Sequence, residues 1–159
     1  MISTFPGRLA GAILKISQLS TAVLILLTVI IQFLIMMAFA LIAQKDVAEG
    51  IIFTNFTEQI LLLIVVAPLV ETLLFQYSII DYITTTFKSQ SLAILLSAIA
   101  FGLTHYYSQG YIVATFFSGI LFAFMFLVFR AKNKSGILCI MAAHALYNLL
   151  ILLLRVTAS

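Results

Sequence analysis

The stretch Ala67-Pro68-Leu69-Val70-Glu71-Thr72-Leu73-Leu74-Phe75-Gln76 sets a single carboxylate inside an otherwise apolar run. From Gln59 to Ile80 that run is 22 residues long, about 33 Å as a helix. This length is enough to cross the hydrocarbon core of a bilayer. Glu71 falls near its midpoint, where an acid costs roughly 2.5–3.5 kcal/mol on the insertion scale. Such a group is met where it faces a protein interior or a wet cavity and has a partner. Few side chains elsewhere qualify as that partner: His105, His144 and Asn148, each within another apolar run.

Composition agrees with a membrane setting. The 159 residues are 64% hydrophobic and 8% charged, against about 45–50% and 25% for a soluble domain. The pattern predicts an all-α polytopic bundle of about five transmembrane helices. The net charge of +3 is carried by residues between apolar runs, which suits topology and contact with lipid phosphate. No basic patch interleaved with aromatics argues for nucleic acid. Cys139 is the one cysteine, so neither an intramolecular disulfide nor a cysteine-based metal motif is expected.

Working outward, residues 1–20 carry Arg8 and Lys15 among Phe5, Leu9, Ile13, Leu14, Ile16 and Leu19. That spacing predicts an amphipathic helix at the membrane surface. Residues 21–57 make a first span, Thr21 to Ala43, and a polar loop, Gln44 to Thr57. Gln32 is the span's strongly polar side chain and is expected to hydrogen-bond across the bundle. Residues 58–155 form the core. Within it, Pro68 should bend the second span by removing the bond to the Ile64 carbonyl. The third span reads as Ser91 to Tyr107, the fourth as Tyr111 to Phe129 and the fifth as Gly136 to Leu154. Thr115, Ser118, Gly119 and Ala123 give the fourth a small-residue side for close helix contact. With five spans, Arg8, Lys15, Lys88, Arg130, Lys132 and Lys134 share one side, and Lys45 and Arg155 the other. This asymmetry predicts a cytoplasmic N-terminus.

His144 and Asn148 are four apart and share a helix face. His105 follows Phe101 by four. Glu71, His105, His144 and Asn148 thus come from three helices, the way an intramembrane site is built. Their depths, read from span boundaries, do not match unless the helices are tilted or broken around a cavity. Two chemistries fit. Glu71, His105 and His144 match a three-ligand zinc shell with an open position, but then no acid is left as base, since Glu58 and Asp81 lie at the ends of the span. Without metal, Glu71 serves as general base for water and His105 shares that water. His144 and Asn148 then donate to the developing oxyanion. The metal-free arrangement uses every group and is preferred; no cofactor is expected.

These residues resemble a known family. Glu71-Thr72-Leu73-Leu74-Phe75-Gln76 is similar to the EExxxR box of the CPBP (Abi) intramembrane proteases, which include the type II CAAX prenyl endopeptidases. Phe101-Gly102-Leu103-Thr104-His105 is similar to their FxxxH box, and His144-Ala145-Leu146-Tyr147-Asn148 to their HxxxN box. Order and spacing agree from about Pro68 to Leu150. The resemblance implies a glutamate-dependent membrane endopeptidase: its substrate would be a membrane-associated peptide or protein, and its place a bacterial plasma membrane. It implies Glu71 as the water-activating acid, His105 as its partner, and His144 and Asn148 as oxyanion donors. Two positions depart from the pattern. Thr72 stands where a second Glu is usual and Gln76 where Arg is usual. Losing both avoids an orphaned buried charge and opens an alternative: a catalytically inactive member serving bacteriocin immunity or as a scaffold.

Overall fold

The computed structural model describes residues 7–43, 55–106 and 108–158, all helix and short turns. Six helical runs follow in order. They are α1 (Arg8–Ile16), α2 (Thr21–Ala43), α3 (Phe56–Thr86), α4 (Gln90–Leu103), α5 (Gln109–Ala131) and α6 (Gly136–Ala158). Polar caps start α2 to α6. The hydroxyls of Ser20, Ser89, Ser108 and Ser135 accept from backbone N–H groups three residues on, and the Asn55 side chain accepts from Glu58 N at 2.7 Å. Each cap satisfies a first-turn amide that has no helical partner.

α1 is amphipathic as its sequence predicts. Ile13 is buried and Leu9 and Ile16 pack on the core, while Leu14 is exposed. The Lys132 ammonium donates to the Ser17 carbonyl at 3.2 Å, tying the end of α1 to the turn after α5. That turn is tight. Asn133 takes a left-handed φ of 56°, and Lys134 N reaches back to the Phe129 carbonyl, a helix-closing geometry that asparagine tolerates.

α5 is the central helix. Its apolar window is 61% buried, against 17% for those of α2 and α3 and 28% for that of α6. Phe122, Phe126, Val128 and Phe129 fill the core from it. α2 lays Leu24, Thr28 and Gln32 against the bundle, one per turn, and leaves Leu26, Ile30 and Leu34 outward. Gln32 Nε2 donates to Ser118 Oγ on α5 at 2.9 Å, the cross-bundle bond its position predicts. Where α4 meets α5, a Cβ on Gly119 would lie 2.8 Å from the Ala98 Cα. Gly119→Ala therefore sets about 1–3 kcal/mol of overpacking against a helix-propensity gain of about 0.5–1 kcal/mol. Thermal unfolding in detergent should show a lower midpoint; a midpoint at or above wild type would mean the two helices do not approach this closely.

Two boundaries differ from the sequence reading. α4 ends at Leu103, so the third span is a helix of 14 residues, about 21 Å long. Among the described residues four helices are long and apolar enough to cross a membrane, and α4 is a shorter apolar helix. α3, by contrast, extends the second span at both ends, to 31 residues. The loop expected over Gln44–Thr57 falls outside the described residues up to residue 54, and its last residues form the capped start of α3.

Candidate active site

α3 is not a uniform helix. It switches to π-helical pairing over Leu61–Val66, returns to α over Ala67–Glu71, and is π-helical again over Thr72–Ile79. Wide turns of this kind often accompany functional sites. Leu69, Val70, Leu73 and Leu74 point away from the protein, Thr72 and Gln76 are fully buried, and Glu71 lies between the two sets.

Two histidines from other helices face that carboxylate. His105 Nε2 is 3.9 Å from Glu71 Oε1, and His144 Nε2 is 3.8 Å from Glu71 Oε2. The side chains are 21%, 15% and 9% exposed for Glu71, His105 and His144, so the carboxylate is the most open of the three. The early end of α4 explains why the depths agree after all. His105 follows a short helix whose C-terminus stops level with the middle of α3, so a residue that reads as interfacial reaches the centre of the bundle.

The Phe101 carbonyl lies 2.7 Å from His105 Nδ1. A carbonyl only accepts, so Nδ1 carries the proton and, in the neutral ring, Nε2 presents its lone pair to Glu71. Phe101 also contacts His105 with its ring, at 4.7 Å between centroids. His144 is held between Phe122 and Phe101, at 5.0 and 6.2 Å. Separations of 3.8–3.9 Å exceed hydrogen-bond length, so neither histidine is bonded directly to the carboxylate. Among the described residues, His144 Nδ1 and Glu71 Oε2 are buried without a hydrogen-bond partner. No set of three His, Cys, Asp or Glu side chains there has metal-ligand placement.

Asn148 lies one turn beyond His144 on the same face of α6, but its amide is engaged elsewhere. Nδ2 donates to the Leu63 carbonyl at 2.7 Å. The structure thus brings His105 and His144 each within 4 Å of Glu71 and ties Asn148 to the first half of α3. The sequence reading names the Ile64 carbonyl as the one Pro68 leaves bare. π-helical pairing moves the partner back by one residue, to Leu63. Backbone pairing carries no side-chain signature, so nothing in the sequence pointed to Leu63. The aromatic walls were partly legible, since Phe101 belongs to the FxxxH spacing; Phe122 was not.

The departures from the family pattern also face inward. Thr72 Oγ1 and both polar atoms of Gln76 are buried and lack hydrogen-bond partners among the described residues.

Comparison with known proteins gives one family. The model of the Rce1-like family, described as type II CAAX prenyl endopeptidase Rce1-like, matches residues 31–150. No curated protein matches, and no solved structure matches. The matched segment covers most of the chain and contains Glu71, His105, His144 and Asn148. Four helices of membrane-spanning length together with this family make the chain an integral membrane protein.

Proposed function

We propose, since the chain belongs to the Rce1-like family of type II CAAX prenyl endopeptidases, that it hydrolyses a peptide bond in a membrane-associated peptide or protein with a glutamate-activated water. The observation that carries this reading is the placement of Glu71 between two histidines from separate helices, each ring nitrogen within 4 Å of a carboxylate oxygen.

In this mechanism one water sits between Glu71 Oε1 and His105 Nε2. Both are acceptors, so the water donates one hydrogen to each and turns a lone pair toward the scissile carbonyl. Glu71 takes a proton as the oxygen attacks carbon. The carbonyl oxygen gains negative charge and is met by an N–H of His144 and by the second N–H of Asn148, the one Leu63 does not hold. Collapse of the tetrahedral intermediate breaks the C–N bond, and Glu71 returns its proton to the leaving amine. His105 holds the water through the lone pair that its Phe101 bond leaves free. The family description makes a prenylated C-terminal peptide the first substrate to try. The same reading puts the N-terminus in the cytoplasm, on the side where Arg8, Lys15, Lys88, Arg130, Lys132 and Lys134 collect.

A second reading rests on Thr72 and Gln76, buried without hydrogen-bond partners among the described residues. A member that has lost the Glu and Arg of its box suits an inactive scaffold or immunity protein that binds a peptide through the same part of the bundle.

The test is cleavage by the purified protein in lipid nanodiscs, using matched farnesylated and unprenylated peptides, with and without a zinc chelator. Cleavage that survives chelation is the expected result. Activity lost to chelation and restored by zinc would turn Glu71, His105 and His144 from base and partners into ligands. Absence of cleavage for every peptide leaves the scaffold reading in place.

A further inference from the structure

The geometry points to Pro68 as a positioning residue: by withholding a backbone N–H it frees the Leu63 carbonyl to hold the Asn148 amide at the site. This inference rests on the proposed oxyanion role of Asn148, and its test separates the two.

Ala67 N–H bonds to the Leu62 carbonyl, five residues back. The next pair in that register is residue 68 with the carbonyl of Leu63. Proline has no N–H to give, so this carbonyl has no helical donor. Pro68 is fully buried, and a bare buried carbonyl is costly. Asn148 Nδ2, arriving from α6, supplies the missing donor at 2.7 Å.

That bond fixes more than the carbonyl. Because Leu63 O can only accept, it determines which end of the Asn148 amide is nitrogen, an orientation otherwise open to a flip. One N–H is held by Leu63 and the other is left for a ligand. The amide is therefore aligned by a feature on the opposite helix, five residues before the proline and eight before Glu71. The proline and the catalytic acid share the short α segment Ala67–Glu71, so one break in α3 serves both: it seats Glu71 and it creates the anchor for Asn148. A helix with an ordinary residue at 68 would offer its own N–H to the same oxygen and compete with Asn148 for it.

The experiment uses the full chain in nanodiscs. Pro68→Ala restores the N–H and also suits a helix better, so folding is not the obstacle. The sequence holds three asparagines, Asn55, Asn133 and Asn148, so side-chain amide resonances of asparagine-labelled protein are few, and Asn148→Ala identifies the pair from Asn148. In Pro68→Ala that pair should shift while the Asn133 pair stays in place. Kinetically, kcat should fall about tenfold, the scale of one hydrogen bond, with KM unchanged. The same substitution made in the Asn148→Ala background should have no further effect on kcat. If straightening α3 simply displaced Glu71, the two losses would multiply, and that result overturns the inference. Unmoved Asn148 resonances in Pro68→Ala overturn it as well. Failure of the protease reading shows separately, as wild-type protein that cleaves nothing; the amide resonances then decide the Pro68 anchor alone.

Discussion

Glu71→Gln is expected to lower peptide cleavage by about 10²-fold or more while leaving the protein folded. Glutamine keeps the length, the branching and a carbonyl oxygen toward His105 or His144. It loses the ability to take a proton from water at neutral pH. The His105 tautomer fixed by Phe101 gains nothing from the change, because its Nε2 lone pair faces the same position with or without a carboxylate. What remains is a water held by one histidine, with no acid to return a proton to the leaving amine. Stability should hold or rise, since a half-buried carboxylate with one oxygen lacking any partner among the described residues is exchanged for a neutral group. The measurement is the cleavage rate, or a cellular phenotype, at matched expression. A scaffold behaves differently: Glu71→Gln keeps the phenotype, and changes to the bulk of the side chains around Glu71, such as Phe101 and Phe122, abolish it. Full function in Glu71→Gln would end the protease reading.

The membrane class and the approach of His105 and His144 to Glu71 from two other helices were legible before any coordinates, because each rests on a large energy. An acid in mid-span is too costly to be incidental, and few partners were available. What the sequence hid follows from small energies and from backbone. The end of α4 at Leu103 is set by a local turn in which His105 N bonds to the Gly102 carbonyl at 3.0 Å; hydropathy runs on past it, and the third span was read as longer. The π-helical pairing of α3 has no signature in apolar side chains that would fit either register equally well. From it come the switch from Ile64 to Leu63 as the bare carbonyl and the anchoring of Asn148. Gln32 was easier, since a single amide on an apolar helix has to find a donor or acceptor across the bundle, and Ser118 is where it finds one.

The departures at Thr72 and Gln76 lead to the largest stability effects expected here. Both side chains are fully buried on the inner side of α3, and their polar atoms have no partners among the described residues. Among the described residues no charged side chain hydrogen-bonds to either of them. Gln76→Arg alone places a guanidinium there that cannot shed its proton, and an uncompensated buried charge costs about 3–5 kcal/mol. Thr72→Glu alone should cost less, because a carboxyl can neutralise itself by protonation. The two together should recover much of the loss, since residues four apart on one helix lie on the same side and can pair. The expected pattern is strongly non-additive: thermal midpoints in detergent lowest for Gln76→Arg, intermediate for Thr72→Glu, and higher for the double variant than for Gln76→Arg. Equal stability of Gln76→Arg and wild type would show that this part of the bundle is already wet or already charged, and that the missing Glu and Arg were not lost as a pair for want of a place to bury them.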